Sequence, residues 1–317
     1  MSPKPKHTGR RPKTSTAAGT PAPPPMDQTL SDLRKLIEAQ SFNSAEEANA
    51  YVQRLLQENQ GQIPHVAPVT PLEQAMEVIY AAQSERSPKH RAALAQQALE
   101  LSPDCAEAYN LLAQAETDPR RQLQLLEQGF AAGERAIGAA NFQEWEGMFW
   151  GVVETRPYMR ALAGVAELSW LMDDRARAIA IYQRMLVLNP GDNQGIRYSL
   201  STCLLEENTP QARATLQALL GEYPDDGAAN WAYSRALLLF QEVGHPTTQA
   251  THALKKALKV NRHVPAYLLG KKPMPQQMPQ YIGFGDENEA IEYAGYALPV
   301  WSQTSGALDW LRLQAKA

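Results

Sequence analysis

The sequence predicts an all-α protein, a helical-repeat superhelix with a disordered N-terminal tail. Three observations carry this expectation. Apolar residues recur at helical spacing from about residue 29 to the C-terminus. Two adjacent segments, Met159–Pro190 and Asn193–Pro224, share one helix–turn–helix outline, and their terminal prolines lie 34 residues apart. Glycine is scarce, 19 of 317 residues, beside abundant alanine, which favours helix over sheet. The net charge of −4 argues against a wholesale nucleic-acid binder. No run of about 18 apolar residues exists, so no membrane span is expected. Two cysteines supply neither a disulfide framework nor a zinc set, and a reducing, cytoplasmic setting is expected.

The elements follow in order. Residues 1–28 hold seven prolines, five basic residues (Lys4, Lys6, Arg10, Arg11, Lys13) and one acid, Asp27. Almost no apolar surface is available there to offset ordering entropy, so a solvated, basic tail is expected. Residues 29–60 read as a helical pair. Leu30, Leu33, Leu36 and Ile37 share one face, and Ser44 with Glu47 suggests a capping box at the second helix. Residues 61–71 contain three prolines and read as a linker. Residues 72–317 read as the repeat domain, closed by a helix at about 305–315.

Within 159–190 the small and large residues are placed systematically. Ala166 and Ala178 let two helices approach closely, Tyr182 and Leu186 fill the gap to the next pair, and Pro190 ends the second helix. Ala212, Leu216, Leu220 and Pro224 repeat the arrangement. A period of 34 residues with these side chains is the tetratricopeptide pattern. The copies at 72–103, 106–136 and 227–261 are degenerate. In the copy at 106–136 the second helix runs on through Gly129 and Gly133 and departs from the pattern, and in the copy at 227–261 Arg262 stands where proline is expected. Asp286–Leu298 reads as a second helix alone, and Asp286 with Glu289 as a further capping box.

Several stretches outside the repeat pattern are more distinctive: AAGERAIG (131–138), FWGVVETRPYMRA (149–161), GDNQGIRY (191–198), WAYSRALL (231–238), VPAYLLGKK (264–272) and YIGFGDENEAIEYA (281–294). In these the chain resembles helical-repeat proteins grouped with the ST7 (suppression of tumorigenicity) family, over about 125–312. The resemblance implies a helical-repeat fold and supplies no catalytic residues. The cysteine-rich metal motif of some relatives is absent, since Cys105 and Cys203 stand alone.

No motif for catalysis emerges. GFGDE (283–287) lacks the third glycine and the preceding strand of a dinucleotide site, and no phosphate loop or nucleophile elbow exists. The histidines lack partners at metal-ligand spacing, so no metal and no cofactor are expected. Cys203 reads as buried packing and Cys105 as exposed. Glu154, Arg156 and Tyr158, beside Trp145, Phe149 and Trp150, form a candidate secondary site or an insertion packed on the stack. In repeats of this type the first helix of each pair lines the concave face. Residues spaced i, i+3, i+7, i+10 then place Arg160 and Trp170, Gln194 and Arg197, and Trp231 and Arg235 in one groove. Arginine and tryptophan are frequent interface anchors, and such a groove suits an acidic or C-terminal peptide segment. The alternative has the arginines paired within the stack and the tryptophans in the core. The expected function is non-catalytic protein–protein interaction, as scaffold or adaptor, with an unidentified protein or peptide partner. A nucleic-acid role using the tail and the arginine groove is disfavoured. The remaining alternative is a regulator of an enzyme complex.

Overall fold

A computed structural model describes residues 24–316. The chain divides into two compact units, one ending at Ala67 and one running from Pro68 to Ala317. Residues 1–23 of the expected tail lie outside the described residues. From Met26 the chain is helical, so the first helix takes up the last three residues assigned to that tail.

The first unit contains α1 (Met26–Glu38) and α2 (Ala45–Glu58). Ser44 Oγ caps α2 by accepting from the Glu47 N–H at 3.2 Å. The Glu47 carboxylate reaches past Ser44 to the Asn43 N–H at 2.8 Å, so only half of the expected box forms. Buried Asp32 of α1 accepts from the Val66 N–H and lies 3.1 Å from His65 Nδ1, tying the segment after α2 back to α1.

The second unit is a series of antiparallel pairs: α3 (Pro71–Ser84) with α4 (Pro88–Leu101), and α5 (Ala106–Ala115) with α6 (Pro119–Ile137). After α7 (Ala139–Glu144) come α8 (Arg156–Leu171) with α9 (Arg175–Leu188), α10 (Ile196–Glu207) with α11 (Pro210–Glu222), and α12 (Ala229–Gln241) with α13 (Thr248–Val260). The unit ends with α14 (Val264–Leu268), α15 (Glu287–Gln303) and α16 (Ala307–Gln314). No strand occurs among the described residues, so the fold is an all-α helical repeat. One device recurs at helix starts. A capping side chain precedes proline at Thr70–Pro71, Ser87–Pro88, Asp118–Pro119 and Thr209–Pro210. The side-chain oxygen satisfies a free N–H, and proline sits where no N–H is needed. At α3 the box is complete, with the Glu73 carboxylate accepting from the Thr70 N–H at 2.8 Å.

The small residues read from the repeat pattern are at the helix contacts. Ala166, Ala178, Ala212, Leu216 and Leu220 are all buried, as are Tyr182 and Leu186. The departures have physical reasons. In α6 a Cβ at Gly129 would lie 3.0 Å from Tyr109 Cβ, and one at Gly133 only 2.8 Å from Tyr158 Cβ. Glycine there lets α6 press on α5 and α8 together, which alanine would block. The helix expected to stop at Leu298 continues through Pro299 to Gln303, because Val300 and Trp301 beyond it are buried. Trp301 donates from Nε1 to Tyr293 Oη at 2.8 Å, and Trp310 of α16 stacks on Phe240 at 4.9 Å. This aromatic cluster joins α15 and α16 to α12 and completes the core at that end.

Candidate functional site

The six groove residues do not meet in one channel. Arg160 donates from Nε to Glu107 at 2.9 Å, and Glu107 is bonded in turn by Asn110, which also holds the Pro157 carbonyl of α8. Arg160 therefore ties α5 to α8. Arg197 sits between two carboxylates, Asp192 at 2.8 Å and Asp226 at 2.6 Å, and donates to Tyr198 Oη at 2.7 Å. Arg235 donates to the Leu220 carbonyl at 3.1 Å, satisfying an acceptor in the last turn of α11. Trp231 is 2% exposed, and its Nε1 donates to the Tyr223 carbonyl at 2.9 Å. Its ring meets Tyr198 and Tyr223 edge-on at 5.9 and 6.0 Å. These contacts correspond to the pairing within the stack that the sequence left open, and they oppose an arginine channel for acidic peptides.

The cause is local. Asp192 accepts from the N–H groups of Ile196 and Arg197, and Gly195 adopts φ +71°, so α10 begins at Ile196 rather than at Asn193. On that helix Ser201 and Leu204 are in the core, while Ser199, Thr202, Cys203 and Glu206 line the open side.

The open side is a cleft of about 730 Å³, and it retains two of the six residues, Trp170 and Gln194. One wall is α8, through Ala163, Glu167, Trp170 and Leu171, and the floor is α10. The opposite wall is α15, which packs against α10 and α12 and contributes Glu289, Glu292, Tyr293 and Tyr296 at spacings of three and four. Ile282 and Phe284, just before α15, close the rim. Phe284 is 81% exposed and Tyr296 63% exposed, large for aromatic side chains without a ligand. Asp286 caps α15 through the Glu289 N–H at 2.8 Å. Buried Glu289 does not complete a box there. It accepts from the Ala229 and Gly285 N–H groups and from the Asn261 amide, locking α15 to the start of α12. The α15 wall and its Glu–aromatic row were missed in the sequence, although YIGFGDENEAIEYA was a visible signal for them.

The secondary candidate is structural where it is buried. Tyr158 is fully buried, with Phe142 at 5.3 Å and Phe149 at 5.9 Å, and burial pushes its phenol up to about 12. Arg156 donates to the Trp150 carbonyl at 3.0 Å and lies over the Trp150 ring. Glu154 is exposed in a short 3-10 turn, Val153–Thr155. Cys105, expected to be exposed, is buried against Met76, and burial pushes its thiol up to about 11. Cys203 is buried as expected, and its thiol is pushed up to about 12. Among the described residues no group of three metal-ligating side chains converges, and no helix is long and apolar enough to cross a membrane.

Comparison with known proteins places this architecture. A family model described as ST7 protein matches residues 230–317, the segment holding α12 to α16 and the α15 wall. A rat (Rattus norvegicus) suppressor of tumorigenicity 7 protein-like is 31% identical over 269 residues, covering 74% of this chain and 45% of that protein. The zebrafish (Danio rerio) protein of the same name is 29% identical over 254 residues, with 74% and 43% covered. The Protein ST7 homolog of Drosophila pseudoobscura pseudoobscura is 28% identical over 266 residues, with 74% and 47% covered. The chain thus spans a little under half the length of these relatives. With a family-model match on its last five helices and similarity along 74% of its length, this helical-repeat chain resembles the ST7 family.

Proposed function

We propose that the chain is a non-catalytic protein–protein interaction scaffold and that the cleft between α8, α10 and α15 is its partner-holding surface. The observation that carries this reading is the exposed apolar rim. Leu171, Ile282, Phe284 and Tyr296 are 48% exposed or more, and all four line one cleft. Apolar side chains gathered at a concavity, rather than scattered singly, mark a surface meant to be covered. The non-catalytic reading is supported by the state of Cys203, the thiol that lines the cleft. Burial pushes it up to about 12, and no base is hydrogen-bonded to it among the described residues. A nucleic-acid role finds no support here, because no Lys or Arg lines the cleft.

Site-specific photo-crosslinking in the producing cell tests the proposal. A photoreactive residue at Phe284 is expected to give discrete protein adducts. One at Val187, exposed on α9 and outside the cleft, is expected to give none. Equal adducts at both positions, or none at Phe284, would reject the cleft as a partner surface.

A further inference from the structure

We propose that the occupant of the cleft is a basic segment of a partner protein, an extended stretch presenting arginine or lysine side chains; this rests on the cleft being a partner surface. Among the described residues four carboxylates line it, Glu167, Glu206, Glu289 and Glu292, and no Lys, Arg or His does. Two of the four are already engaged. Glu206 pairs with Arg175 at 3.3 Å, and Glu289 is held by backbone N–H groups and an amide. Glu167 and Glu292 have no hydrogen-bonding or ion-pair partner among the described residues. Glu167 stands on α8 and Glu292 on α15, and both line the cleft together with the exposed ring of Tyr296. Burial, and then the charge of Glu289, push the Glu292 carboxyl above its ordinary range. Gln194 Oε1 is a further acceptor, buried without a donor.

The chain itself displays the binding mode at two residues that line the cleft, Trp170 and Glu206. Arg175 places its guanidinium 4.8 Å from the centroid of the Trp170 ring while pairing with Glu206. An arginine on an aromatic face with a carboxylate at its edge combines cation–π attraction with a charge-assisted hydrogen bond. Tyr296 with Glu167 and Glu292 offers the same combination to a guest. The unpaired acceptors call for N–H donors with positive charge, and the exposed Phe284 and Ile282 would cover the methylene stems.

The test uses the full chain and three labelled hexapeptides, of arginine, of glutamate and of alternating glycine and serine, followed by fluorescence anisotropy. The arginine peptide is expected to bind, and the other two are not. Glu167→Gln/Glu292→Gln is expected to weaken binding about 10-fold or more, with its Tm unchanged. A control with the same charge change at exposed positions outside the cleft, Glu100→Gln/Glu242→Gln, is expected to change it less than about twofold. Equal weakening by both double variants would reduce the binding to non-specific attraction and overturn the proposal. Binding of the glutamate or neutral peptide, with adducts still formed at Phe284, would overturn the basic occupant while leaving the partner surface intact. Absence of every peptide and of every Phe284 adduct would remove both readings. Binding of the arginine peptide only after deletion of residues 1–23 would mean that the chain's own basic residues fill the cleft, which also overturns a partner occupant.

Discussion

Trp231→Ala is expected to lower the stability of the repeat unit by about 3–5 kcal/mol, the range for removing a large aromatic from a packed core. The side chain is 2% exposed on α12, wedged between the rings of Tyr198 and Tyr223. Its removal leaves a cavity between successive pairs. It also strips the Tyr223 carbonyl of the indole N–H that reaches it at 2.9 Å. Trp231→Phe keeps most of the apolar area and loses that bond, so a smaller loss of about 1–2 kcal/mol is expected. Urea titration measures both, through a lower midpoint at unchanged slope. A tryptophan serving a partner rather than the core would leave stability within about 0.5 kcal/mol, and that result would contradict the placement.

Arg197→Leu is expected to cost about 3–5 kcal/mol, because it leaves two carboxylates facing each other without their cation. The side chains of Asp192 and Asp226 are only 1% and 5% exposed, so water cannot replace the guanidinium. Burial opposes the charge on Arg197, yet its bonds to Asp226 and Asp192 hold it protonated well above the ordinary range. The arrangement also sets the local backbone. Asp192 caps α10, Asp226 accepts from the Ala228 N–H before α12, and Arg197 joins the two turns. A double-mutant cycle gives the sharper reading. Asp226→Asn in the Arg197→Leu background should add much less than it costs alone, since the pair is already broken. Strict additivity would show that the two side chains do not act together. The sign of these effects separates the stack from the cleft. Substitution at Arg197 changes stability, whereas substitution at Glu167 or Glu292, which have no partner among the described residues, changes binding.

The repeat was legible because its signal is local. Ala178 and Tyr182 lie four residues apart on one helix, and Pro190 follows that helix directly, so spacing alone places them. Turns that set helix phase were harder to read. Asp192 and Gly195 delay the start of α10, so the spacing counted from Asn193 did not mark its open face. Ser201 and Leu204, expected in the groove, are in the core, and Ser199 and Glu206 line the open side. Side-chain pairing across repeats was legible only as a set of candidates. Sequence showed Arg197 near Asp192, but not that Asp226 would complete the pair from the next turn. The α15 wall was hidden for a different reason. Helix spacing shows that Glu289, Glu292, Tyr293 and Tyr296 share a face, but not that this face closes over α10, which lies far upstream. Pro299 suggested an early stop, and only the burial of Val300 and Trp301 shows why the helix continues.

Amide hydrogen exchange of the full chain, with and without a saturating arginine hexapeptide, tests most directly whether the cleft is where a basic segment docks. The account predicts slowed exchange over 163–171, 193–206, 228–230 and 281–296, with α3, α4 and α11 unchanged, because those stretches border the cleft and those three helices contribute nothing to it. Protection centred on another surface, or none anywhere at saturation, would contradict it.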